Sequence, residues 1–140
     1  MTLRYLLDTN ILSEAIKPQP SLSVLEHTNR HKSELSTASV VVHELLFGCL
    51  RLPFEAKRRT DLQNYLDQVI LAGLPIFSYD IAAALWHSQE RARLTAQGKP
   101  PPFTDGQIAA IAKVNDLILV TRNIDDFNGF EGLTVENWFD

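Results

Sequence analysis

One cysteine, one methionine, two tryptophans and six glycines are all that 140 residues contain of these types. The lone Cys49 excludes an internal disulfide and suits a reducing cytoplasm. Charge of one sign is also scarce: thirteen Lys and Arg against seventeen Asp and Glu leave a formal net charge of −4. That balance argues against a surface coated in cations for nucleic acid, although acids gathered around a metal would lower the net charge while basic residues elsewhere still met phosphate. No apolar run approaches the roughly 20 residues that span a bilayer, and no signal-peptide pattern is expected at the N-terminus. Repeats, low-complexity segments and linkers are missing too, so residues 1–140 read as a single domain able to bury its own core.

What the chain does contain is an alternation of short apolar runs with helical patterns. Tyr5-Leu6-Leu7 has no polar alternation, as expected of a strand covered on both faces, and stops abruptly at Asp8-Thr9-Asn10. These residue types end strands and open helices by offering oxygens to free backbone N–H groups. Asp8 is therefore expected at the carboxyl end of a buried first strand, where open α/β sheets place ligands, or else as a simple helix cap. Leu35-Ser36-Thr37, Ile76-Phe77, Leu117-Ile118-Leu119-Val120 and Leu133-Thr134-Val135 are the further strand candidates. The sum is an α/β fold, with a short central parallel sheet of 4–5 strands flanked by helices in three layers (α/β/α).

The helical segments carry the polar candidates. Ser21 can cap a helix reaching about Arg30 with Leu22 and Leu25 inward; His27 and His31 then fall at i, i+4, a metal-binding spacing with no third ligand nearby. Ser39 can cap a helix running from Val40 to about Leu50, which carries Glu44 beside its apolar stripe. A long helix is expected from about Phe54 to Ala72, with Leu62, Tyr65, Leu66, Val69 and Ile70 inward. Its basic patch, Lys57-Arg58-Arg59, is a solvated face or a contact for RNA phosphates. Asp80 caps the next helix, with Ile81, Ala84, Leu85 and Ser88 repeating on one side and Trp86 packing. Thr104 and Gln107 fit a capping box, which puts Asp105 in a first helical turn above Ile108, Ala109 and Ala112. A charge on that face is costly unless paired or bound to a cation.

A parallel sheet sends every strand's carboxyl end to one edge. Asp8, Asp105 and Asp126 follow strand ends or top helices beside that edge, and Glu44 follows the second strand. Carboxylates brought together repel, and a divalent cation relieves the repulsion. Oxygen ligands without Cys favour Mg2+ or Mn2+ over zinc, and such a site suits phosphodiester hydrolysis.

Leu7-Asp8-Thr9-Asn10, Glu44-Leu45-Leu46-Phe47-Gly48, Asp105-Gly106-Gln107-Ile108-Ala109-Ala110 and Val120-Thr121-Arg122-Asn123 with Asp126-Phe127 follow one another in this order along nearly the whole chain. In this set the chain resembles a PIN-domain ribonuclease, in particular the toxin of a VapBC-type, type II toxin–antitoxin pair. The resemblance implies a Mg2+- or Mn2+-dependent endoribonuclease of the cytoplasm that cuts tRNA or other structured RNA. It further implies a homodimer, silenced by a cognate antitoxin whose C-terminal segment enters the active-site groove. Carried over by residue, Asp8 and Asp105 are the main metal ligands and Glu44 the third carboxylate, holding metal or orienting water. Thr121 is the hydroxyl that hydrogen-bonds within the site, with Thr9, Asn10 and Asn123 in support. Many relatives have Asp where this chain has Asn123, and Asp126 can supply that fourth charge instead. Other strand-end acids fit less well: a haloacid dehalogenase phosphatase needs an acid where Asn10 stands, and a receiver domain needs a Lys where Thr121-Arg122 stands. A non-catalytic PIN-like module that binds RNA or protein is the alternative reading.

Overall fold

The computed structural model describes residues 2–139. Five short strands, β1 (Tyr5–Leu7), β2 (Leu35–Ala38), β3 (Ile76–Phe77), β4 (Ile118–Val120) and β5 (Val135–Glu136), form one sheet in the order β3-β2-β1-β4-β5. All four pairings are parallel, with Leu7 opposite Val120 and Tyr5 opposite Leu35. Steps from β1 to β2 to β3 run one way across the sheet, and the step from β3 to β4 reverses them. Right-handed crossovers therefore lay the two groups of helices on opposite faces, which explains why β1 is apolar throughout and wholly buried. The reversal also opens a crevice between β1 and β4 at their carboxyl ends.

Two buried hydroxyls rivet the sheet: Ser36 Oγ donates to the carbonyl of Tyr5 and Thr37 Oγ1 to that of Leu7, each at 2.8 Å. The last strand begins two residues later than Leu133–Val135 implies and ends one later, with Val135 and Glu136 facing Leu119 and Val120. Among the described residues no helix is long and apolar enough to cross a membrane.

Among the described residues seven α-helices connect the strands: α1 (Thr9–Leu12), α2 (Leu22–Arg30), α3 (Ser39–Leu50), α4 (Lys57–Tyr65), α5 (Leu71–Gly73), α6 (Ile81–Ala96) and α7 (Phe103–Val114). As expected, Ser21 accepts from the Val24 N–H and Asp80 from the Ala83 N–H, at 3.3 and 3.0 Å. Several inward faces differ from the periodicity. On α2, Val24 is buried and Leu22 is 79% exposed, since the helix docks through the His27 ring, stacked 5.3 Å from Trp138. His31 lies against the same indole and holds Glu34 Oε1, while His27 Nδ1 meets the Ser23 carbonyl, so these two histidines serve packing rather than metal binding. The helix expected from Phe54 starts only at Lys57, and a π-helical stretch, Leu66–Ile70, interrupts it. That extra residue per turn keeps Leu66 and Ile70 buried but turns Val69 outward, at 50% exposure.

Helix α6 is the largest departure. It buries Ala83, His87, Glu90 and Leu94, and leaves Ile81 and Leu85 at 76% and 61% exposure. Glu90 tolerates burial because both its oxygens take the Arg93 guanidinium, at 3.0 and 2.8 Å, and one also accepts from the Glu131 N–H. His87 takes the Tyr79 hydroxyl at Nδ1, 2.8 Å away. A hydrophobic count alone turns this helix the wrong way round, since the polar pair that satisfies Glu90 lies outside its periodic stripe.

Candidate active site

Asp8 follows β1 directly and is 7% exposed, and both its carboxylate oxygens are held. Oδ1 accepts from the Thr9 N–H at 2.7 Å, so Asp8 does cap α1; Oδ2 accepts from the Thr121 hydroxyl at 2.8 Å. Thr121 follows β4 directly and is fully buried, so this bond spans the crevice between the first and fourth strands. Asn10 ties the same two strand ends together. Its amide nitrogen donates to Thr121 Oγ1 at 3.3 Å, and its oxygen accepts from the Arg122 N–H at 3.0 Å. The Asn123 N–H also donates to Thr121 Oγ1, at 3.2 Å. The four polar residues assigned a supporting role thus sit around Asp8, with Thr9 as the link to the next carboxylate: its hydroxyl donates to Glu44 Oε1 at 2.9 Å.

Glu44 reaches this point from the second turn of α3, and Asp105 from the first turn of α7. Burial pushes Asp105 up to about 6, and the negative charges of Asp126, Asp8 and Glu44 push in the same direction. Asp8 is raised too, chiefly by burial, with Glu44 and Asp126 adding to the shift while its bonds from Thr121 and Thr9 oppose it. Asp8 and Asp105 therefore feel the charges of Glu44 and Asp126, and Asp105 that of Asp8 as well, across more than a hundred positions of sequence. Asp126 stands in the 3-10 turn after β4, exposed, as is Asn123.

The donor set is all carboxylate oxygen, which suits Mg2+ or Mn2+. Among the described residues no three His, Cys, Asp or Glu side chains converge into a finished cage. Mg2+ does not require one, since it keeps several waters and takes only one or two carboxylates. Buried Asp8 and half-buried Asp105, with exposed Glu44 and Asp126 at the rim, are the oxygens such an ion would take.

Lys57, Arg58 and Arg59 open α4 and make no ion pair with these acids. Lys57 is taken by Asp61 at 3.0 Å, and Arg59 donates to the Leu52 carbonyl and lies over the Phe54 ring. Arg58 alone of the three has no such partner among the described residues.

Sequence reasoning missed a pocket of about 410 Å3 beside Glu44, lined by Ser39, Val40, His43, Tyr79, Thr104 and Gln107. The signal was present but misassigned, because Ser39 and Thr104 look like helix caps. Instead α3 starts one residue early and α7 two, with Ala38 and Pro102 at the cap positions and no side-chain cap bond, so the capping box of Thr104 and Gln107 does not form.

The PIN domain matches residues 5–132. The chain is 32% identical over 136 residues to the tRNA(fMet)-specific endonuclease VapC of Shigella flexneri, covering 97% of this chain and 98% of that one. Its fold superposes on FitAcB from Neisseria gonorrhoeae with a TM-score of 0.86 at 31% identity, over 96% of this chain and 97% of the other. On DNA-bound VapBC from Salmonella typhimurium the TM-score is 0.81 at 28% identity, over 97% and 98%.

Proposed function

Because the chain belongs to the PIN-domain family, among its VapC ribonucleases, we propose that it is a toxin that hydrolyses RNA phosphodiester bonds with a bound Mg2+ or Mn2+ ion. The observation that carries this reading is the crowding of acids at the crevice between β1 and β4, where Asp8 and Asp105 are both raised, by burial first and then by the charges of their acidic neighbours. A cation relieves the repulsion in such a set, and at neutral pH a carboxyl shifted to about 6 is mostly ionised, so protonation does not.

When bound, the ion supplies charge neutralisation and Lewis acidity at the phosphoryl group. The chain's own residues supply position. Thr9 N–H and Thr121 hydroxyl fix Asp8 so that its remaining lone pairs face the crevice. Thr9 holds Glu44 by one oxygen only, which leaves Oε2 able to accept a proton from an attacking water. Asn10 keeps the β1 and β4 ends in register, so the metal-holding acids do not drift apart.

The substrate class is structured RNA such as tRNA, supported by the tRNA-specific relative, and Arg58 with its neighbours is offered as a phosphate contact. The partner is a cognate antitoxin whose C-terminal segment occupies the groove. Exposed Phe47 and Leu50 on α3 and Phe54 after it provide apolar purchase for such a peptide. Homodimerisation is part of the same reading, with Ile81 and Leu85 as the unpartnered apolar face.

The test is cleavage of tRNA by the purified chain with Mg2+, with excess chelator, and by Asp8→Asn and Asp105→Asn. Metal-dependent cleavage lost in both variants, by a factor of about a hundred or more, is expected. Full cleavage by both variants, or none by the unaltered chain with either metal, would leave only a non-catalytic RNA- or protein-binding module.

A further inference from the structure

We propose that the pocket beside Glu44 is the subsite for one unpaired nucleobase next to the cleaved phosphodiester, with Ser39, Thr104 and Gln107 reading its edge and His43 its face. The proposal rests on the ribonuclease reading above and deepens it by assigning substrate selection to residues outside the acid set.

Size and position come first. At about 410 Å3 the cavity lies in the range of small-molecule sites, and Glu44 is one of its walls, so an occupant is attached to whatever lies at the acids. The lining chemistry then decides the occupant. Apart from Glu44, every lining side chain is neutral or an imidazole, and no Lys or Arg faces the space. With acids adjoining, an anion is disfavoured there and a neutral, flat, hydrogen-bonding group is favoured. A second cavity, of about 460 Å3 on the other side, contrasts with it: Arg122, Asn123, Asp125, Asp126 and Asn137 line it, a charged setting less suited to a neutral base.

The polar groups of the first pocket are also unspent. Among the described residues the side chains of Ser39, Thr104 and Gln107 make no hydrogen bond within the chain. In contrast, Thr9, Asn10 and Thr121 on the other side of the acids are fully engaged. Gln107 offers a donor and an acceptor side by side, the complement of a base edge. One ring completes the site. His43 is exposed and lies nearly parallel to Phe47, with centroids 6.3 Å apart and 14° between planes, and Arg51 covers Phe47 at 5.4 Å. A base entering beside His43 is the next plane of this stack, the way unpaired RNA bases are held.

The experiment maps cleavage of a tRNA and of short single-stranded RNAs with each of the four bases at the positions flanking the cut. Gln107→Leu and Thr104→Val, singly and together, keep side-chain size and remove the edge contacts. The expected result is a fall of about tenfold in the ratio of kcat/KM between the preferred and least preferred base, with Asp105→Asn inactive on all substrates. An unchanged base profile in the double variant overturns the subsite while the ribonuclease reading stands. Should the unaltered chain cut no RNA, that reading falls by itself. The subsite is then judged by titrating the four ribonucleoside monophosphates while observing the Gln107 side-chain amide by NMR. A saturable shift lost in Thr104→Val supports the pocket, and no shift overturns it.

Discussion

Asp105 carries a proton more tightly in the folded chain than in the unfolded one, since its carboxyl moves from 3.8 to about 6. Stability from this group is full below its unfolded value and is lost as pH rises through about 6. The metal-free chain therefore gives up about 1 kcal/mol at this half-exposed carboxyl between about pH 4 and pH 7, after allowance for solvent screening. Asp105→Asn removes that loss. In excess chelator near neutral pH the variant is expected to melt about 3 °C above the unaltered chain, and Mg2+ should raise the melting temperature of the unaltered chain only. Equal melting temperatures in chelator would show that the carboxyl bears no such strain. Thr121 works in the other direction, because its hydroxyl lowers the Asp8 carboxyl against burial. Thr121→Val is expected to move the pH midpoint of cleavage upward, with the chain still folded; a pH profile that superposes on the original would refute it. At this scale Asp8, Glu44, Asp105 and Thr121 were legible because their residue types are costly where the pattern puts them. The free hydroxyls of Ser39 and Thr104 were not, since a cap and a ligand contact call for the same side chain.

Gly106 shows how an element holds a residue. It follows Asp105 in the first turn of α7, and a Cβ there would collide with the His87 imidazole, whose Nε2 is buried without a partner. Helix α6 thus seats its one buried histidine on the only residue without a side chain in that turn. Gly106→Ala is expected to cost about 2–3 kcal/mol and to displace Asp105, with cleavage falling alongside stability. The double variant Gly106→Ala, His87→Ala should recover part of the loss, which a denaturant titration reads directly; strict additivity would mean the two do not press on each other. Element types and order were readable from apolar runs and from Gly and Pro stops. Which face of α6 points inward was not, because Glu90 and His87 are buried through partners at Arg93, Glu131 and Tyr79 that only the folded chain brings near. The π-helical stretch after Tyr65 has no recognisable residue signal either, and it alone turns Val69 outward.

At the scale of the molecule, strand order does the assembling. Reversal at β1 puts Asp8 and Thr121 on neighbouring strand ends, and the helices that begin nearest that edge, α3 and α7, deliver Glu44 and Asp105. The alternation of strands and helices implied this gathering before any coordinate, although the order β3-β2-β1-β4-β5 itself came only with the fold. The outward face of α6 belongs to the same scale. If Ile81 and Leu85 form a contact between two copies, Leu85→Glu should shift the chain toward monomer in sedimentation, and an unaltered distribution would assign the face no such role. The most direct measurement of the central claim is calorimetric titration of Mn2+ into the chain and into Asp8→Asn and Asp105→Asn at neutral pH. Saturable binding by the unaltered chain, weakened at least about tenfold in each variant, is the expected result. Equal Mn2+ affinity in all three proteins would contradict it, because acids that share an ion cannot each be neutralised without loss.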